Sequence, residues 1–198
     1  MSNETTKTKK DKKATIVMTP EFRVSFPAVF KPRSAAEGQK EKYSISMLFP
    51  KTTDLTPLKL AVRKAIEEKW GTDQAKWPKG LRLPFRDGNE KDYDGYKDTV
   101  FCTASSEQKP GLVDQNVEDI IDQGEFYGGC YARATINAFA YDKAGNKGVA
   151  FGLRNIQKIR DGAAFSGKTD PKDDFDAIKL EGAGDGAPAE DPLGGIGA

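Results

Sequence analysis

From Cys130 to Tyr141 the residue types alternate strictly. Cys130, Ala132, Ala134, Ile136, Ala138 and Ala140 are apolar and mostly small. Tyr131, Arg133, Thr135, Asn137, Phe139 and Tyr141 each carry a ring, a charge or a hydrogen-bonding group. A period of two puts these sets on opposite faces of one β-strand. The small set suits the crowded inside of a tightly curved sheet. The other set has what a platform for unpaired bases requires, namely π-faces for the bases and a cation for the phosphates. A stacked base contributes on the order of 1–3 kcal/mol on such a surface. The competing reading is packing, because rings on strands commonly lie beneath a helix, a loop or a second sheet. Arg133 between two aromatic positions fits a dry core poorly, which favours the open platform.

Other residues extend this candidate set. Phe101 repeats the arrangement among the hydroxyls of Thr103 and Ser105. The run after the long strand adds Arg154, Lys158 and Arg160, either a solvated face or a track for a phosphate backbone. Residues 72–98 lack a clear period yet hold Arg86, Tyr93, Tyr96 and Lys97. Loops of that length are uncommon unless they bind something or are disordered. The nucleic-acid-binding candidates are thus Arg86, Tyr93, Tyr96, Lys97, Phe101, Tyr131, Arg133, Asn137, Phe139, Tyr141, Arg154 and Lys158. Lys31 and Arg33 are weaker cations of the same kind.

Enzyme chemistry has little to work with. The chain has no histidine, which removes imidazole bases, histidine metal sites and Ser-His-Asp pairs. Cys102 and Cys130 form no CxxC pair and read as buried free thiols. Asp87, Glu90, Asp92 and Asp94 would suit a metal-dependent nuclease, but their spacing fits a polar turn cluster better and fails the EF-hand pattern. No phosphate-binding glycine loop or nucleophile elbow is present. The expectation is a non-enzymatic binding protein without cofactor or metal. A protein-interaction or virion role for the same aromatic face is the other alternative.

The elements that must position these groups follow from pattern. Residues 22–30 alternate, with Phe22, Val24, Phe26, Ala28 and Phe30 expected on one face, and Pro27 marking an edge or a bulge. A second strand runs from Tyr43 to Phe49. Thr56 reads as the N-cap of a helix with Pro57 first inside it. Its stripe is Leu58, Ala61, Val62, Ala65 and Ile66, with Trp70 as a candidate extension, and Gly71 stops it. Residues 99–105 and 128–141 are strands, and 147–160 return as a hairpin partner of the latter. Strands dominate and the helix is single, which predicts a mainly β, OB-fold-like small barrel with one helix and a long loop.

The ends differ in charge. Residues 1–13 hold five lysines, a disordered basic arm by composition. From Asp170 onward there are eight acids and two lysines, a net of −6. Against +1 for the whole chain this leaves +7 on what precedes. The predicted organisation is an arm at 1–13, a binding domain at 14–165 and a flexible acidic tail at 166–198. No signal peptide or membrane span is visible, which predicts a cytoplasmic protein.

The run Gly128-Gly-Cys-Tyr-Ala-Arg-Ala-Thr-Ile-Asn-Ala-Phe-Ala-Tyr-Asp142, followed by the segment from Gly145 to Gly162, resembles a bacteriophage single-stranded DNA-binding protein family, formerly a domain of unknown function. Leu83-Pro-Phe-Arg-Asp-Gly88, Tyr93-Asp-Gly-Tyr96 and Thr103-Ala-Ser-Ser106 fit it too. The resemblance spans roughly residues 14–162. It implies an OB-fold, sequence-tolerant binding of single-stranded DNA and a role in phage replication or recombination in the infected cell. It implies no cofactor and no catalysis, and replication or recombination proteins as further partners of the acidic tail. Many such tails end in a bulky aromatic residue, whereas this one ends Pro192-Leu-Gly-Gly-Ile-Gly-Ala198, so its charge is the feature left for partners.

Overall fold

The computed structural model describes residues 14–165 except 35 and 144. The expected arm and tail lie outside the described residues. In chain order the elements are β1 (Ile16–Met18), β2 (Phe22–Arg33), β3 (Lys42–Pro50), α1 (Thr56–Trp70), β4 (Arg86–Asp87), β5 (Thr99–Ser106), β6 (Gly111–Val113), β7 (Tyr131–Lys143) and β8 (Asn146–Arg160). The pairings run β7-β2-β3-β5-β8, and β8 pairs again with β7. Five strands therefore close on themselves in an OB-like ring. β1 and β6 extend it at β7 and β8, and β4 pairs with β5.

Small residues make this curvature feasible. Cys130, Ala132, Ala134, Ile136 and Ala138 all point inward and are buried, as the alternation requires. Phe22, Val24, Ile45, Met47, Phe49, Cys102, Phe151 and Ile156 fill the rest of the core. Each large apolar side chain so buried contributes roughly 1.5–3 kcal/mol. α1 covers the ring against β7, β1 and β8 with Leu58, Ala61, Val62, Ala65 and Ile66. Its start differs from expectation by one residue. Leu55 is the cap, and Asp54 Oδ1 accepts the Thr56 N–H at 2.9 Å, so the capping carboxylate lies outside the helix. Both cysteines are free and buried, and burial pushes the Cys102 thiol up to about 12.

Two departures matter for function. β2 changes register between Ser25 and Ala28, so Pro27 sits at a bulge, one of the two places expected for it. The bulge turns Phe26 out to solvent, 58% exposed, instead of into the core with Val24. Residues 72–98 are not a free loop. Arg82 bridges Gly148, Arg86 and Asp87 pair with β5, and Tyr96 closes over the sheet. Phe165 packs on that same Leu48–Tyr96–Phe101 cluster.

Candidate nucleic-acid interface

Register fixes what the outside of the ring presents. Ser25 lies opposite Ser46, and Ser46 opposite Thr103. The parallel step that sets Ala104 beside Phe151 sets Thr103 beside Ala150, which lies opposite Phe139. One row thus crosses five strands: Ser25, Ser46, Thr103, Ala150, Phe139. The next row reads Ser44, Ser105, Gly152, Asn137. Ile45, Met47 and Ala104 point inward, so these residues lie on the outer face, where Ser25 is 3% exposed beneath Tyr96 and the others are open or partly open. The middle is hydroxyls and residues without bulk, with Ser46 Oγ and Thr103 Oγ1 3.2 Å apart. Phe139, 44% exposed, stands at the β7 side.

β8 is small where β7 is large. Gly148, Ala150 and Gly152 lie opposite Tyr141, Phe139 and Asn137. A Cβ at Gly148 would collide with the Arg82 carbonyl and the Tyr141 hydroxyl, and one at Gly152 with the Asn137 amide. The β7 side chains consequently lie across β8 rather than stand clear of it. A hollow of about 200 Å³ holds Tyr141 with Thr103, Ala150, Arg82 and Arg86. Another of about 350 Å³ holds Asn137 with Lys109, Arg154 and Ser106. Cations thus flank the row on both sides. Of the expected site residues, the fold brings together Asn137, Phe139, Tyr141, Arg86 and Arg154.

Phe101 also lines the first hollow, and the remaining candidates lie elsewhere. Tyr131 is half-buried, with the Arg160 guanidinium 3.4 Å and that of Arg23 5.8 Å from its ring centre. Arg160 also bonds Glu21 at 2.7 Å, and this contact raises its already high pKa. Arg133 is exposed, but its Nε donates to Gln157 Oε1 at 2.8 Å. Lys97 is exposed beside Asp98, whose carbonyl accepts the Lys51 N–H at the end of β3, away from both hollows.

Burial corrects three of the expected contacts. Tyr96 and Phe101 are 2% and 5% exposed and pack edge-on at 5.0 Å, so neither offers a free face. The Tyr96 hydroxyl instead donates to Ser25 Oγ at 3.3 Å. Lys158 is bound to Asp161 at 2.7 Å with its side chain 12% exposed, so it is no open phosphate contact. This lysine in turn holds the Asp161 carboxyl below its usual range. Tyr93 remains exposed, and it meets Phe26 edge-on at 5.3 Å. The outward turn of Phe26 was missed in the sequence, where only Pro27 signalled it.

The acidic group has a structural use. Asp87 takes the Asn89 N–H and pairs with Lys51 at 3.0 Å, contacts that lower its pKa in that order. Among the described residues, no three acidic or sulfur side chains converge on a metal position. No helix among these residues is long and apolar enough to cross a membrane.

Comparison with known proteins identifies the family and the fold. The family described as "Enterobacter phage Enc34, ssDNA-binding protein" matches residues 15–185. Protein p50 of Acyrthosiphon pisum secondary endosymbiont phage 1 is 38% identical over 154 residues, 73% of this chain and 83% of its own. The solved single-stranded DNA-binding protein of bacteriophage Enc34, in complex with ssDNA, aligns with a TM-score of 0.67 at 23% identity over 78% of this chain and 91% of that one. The single-stranded DNA-binding protein encoded by bacteriophage T7 aligns at 0.56 and 14% identity, over 86% and 98%. These two likenesses show a shared fold. On its sequence match, the chain belongs to the Enterobacter phage Enc34 ssDNA-binding protein family.

Proposed function

We propose that this protein binds single-stranded DNA without sequence preference, across the outer row of the ring, in support of phage replication or recombination in the host cytoplasm. The observation that supports this most is the row itself. A strip free of bulk, lined with hydroxyls, runs to an exposed ring and has Arg82, Arg86, Lys109 and Arg154 on its flanks. Bases stack on Phe139 and Tyr141, and backbone phosphates meet the flanking cations. Hydroxyls and Asn137 hydrogen-bond to whatever base edge arrives, which keeps the surface tolerant of sequence. No step of this reading needs catalysis. Tyrosine and tryptophan fluorescence titrated with poly-dT and with duplex DNA at several salt concentrations tests it. Saturable binding to poly-dT that weakens with salt supports the reading, and no binding to poly-dT overturns it.

The domain plan carries a finer proposal. The segment 14–165 binds DNA, and the acidic residues 170–198 compete with phosphates for the same cations. Removing 170–198 is expected to tighten binding at low salt, with the difference fading as salt screens it. Equal or weaker binding after truncation contradicts the competition.

A further inference from the structure

The row ends at β7 with Phe139, and its other end is also aromatic. Beyond Ser25 a hollow of about 510 Å³ is lined by Phe26, Pro27, Arg33, Tyr93, Asp94 and Phe165, together with Ser25 and Gly128. Two rings stand in it largely exposed, Phe26 at 58% and Tyr93 at 53%. They touch edge-on at 5.3 Å, and Tyr96 backs both, at 6.4 Å from Phe26 and 5.5 Å from Tyr93. Arg33 is exposed at the rim and forms no ion pair with a described residue.

Stability does not account for this arrangement. Phe26 has φ +44°, a left-handed backbone that bulky L-residues adopt only under constraint. Glycine would meet that φ without strain. The chain instead holds a phenyl ring there and leaves most of it in water, a double cost for a residue that adds little to the core. A ring supported from behind, open in front and beside a guanidinium that no described carboxylate pairs has the chemistry that receives a flat base and its phosphate.

We propose that Phe26, Tyr93 and Arg33 form a second station for a single-stranded DNA base, at the opposite end of the row from Phe139 and Tyr141. The inference rests on the outer row being the DNA path. Four strand-to-strand steps along the row separate the stations, about 19 Å of sheet, so a strand that follows the row reaches both by crossing all of it. Asp94 in the hollow keeps the phosphate on the Arg33 side by repulsion.

The test uses the full-length protein and the shortest thymidine oligomer that reaches full affinity. Single 5-iododeoxyuridine replacements at each position are cross-linked by light, and adducts are located by peptide mass. Adducts on Phe26 or Tyr93 are expected from positions near one end, and adducts on Phe139 or Tyr141 from the other. Phe26→Gly and Tyr93→Ser are each expected to weaken binding at least about fivefold, the low end for one stacked base. Phe26→Gly is expected to melt within a few degrees of the parent, which separates the lost ring from a damaged fold. If the oligomer binds and cross-links at Phe139 or Tyr141 but never at Phe26 or Tyr93, and both variants bind as the parent does, the second station is wrong and the row stands. If the oligomer does not bind at all, the row itself falls.

Discussion

The two halves of the β7–β8 hairpin obey one alternation rule and present opposite surfaces. Near the turn, Asn137, Phe139 and Tyr141 face Gly152, Ala150 and Gly148, with nothing bulky across from them. Near the root, Tyr131 faces Arg160 and Arg133 faces Gln157, and both pairs are in contact. Outward rings and cations at the root already serve one another along the wall of a hollow of about 570 Å³, whereas those at the turn lie across small residues beside hollows of about 200 and 350 Å³. The lesson is that a binding face depends on the partner strand as much as on the strand that carries the rings. Small residues opposite large ones leave the rings and polar groups for a ligand, whereas matched large ones engage each other.

Substitutions that treat the halves differently sharpen this contrast. The largest effect is expected at the turn. Phe139→Ala with Tyr141→Ala removes two stacking surfaces of roughly 1–3 kcal/mol each, so affinity for poly-dT falls at least about thirtyfold while the circular dichroism spectrum is unchanged. Next come the flanking cations. Arg86→Ala and Arg154→Ala each lower the slope of log affinity against log salt by about 0.7, as expected for one phosphate contact on a single strand. The smallest effect on binding is at the root, where Arg133→Ala shifts affinity by less than about twofold, the range of an exposed polar contact. Tyr131→Ala costs stability instead, on the order of 0.5–1 kcal/mol from the lost Arg160 contact, read as a lower denaturation midpoint. A root variant that abolished DNA binding with its fold intact would break the contrast.

Much of the fold was legible because its signals are local. Even residues of β7 from Ala132 to Ala138 are core, odd ones are not, and the stripe of α1 is the face it buries. Strands β1 and β6, three residues each, carry too few positions for a period to show. The site was legible only in part because exposure is a tertiary property. Phe101 and Thr103 read alike in sequence, yet Tyr96 folds over one and not the other. Phe26 kept the core rhythm of Phe22 and Val24, and the bulge beside Pro27 broke it. For Lys158 a clue was available, since Asp161 follows three residues later and captures it.

The most direct test is an amide chemical-shift map of the protein titrated with a thymidine oligomer. The account predicts shifts concentrated at Ser44, Ser46, Thr103, Ser105, Ala150, Gly152 and from Asn137 to Tyr141, with Tyr131 and Arg133 little changed. Shifts centred on Tyr131, Arg133 and Arg160, with the Ser46–Thr103–Ala150 strip silent, would contradict it.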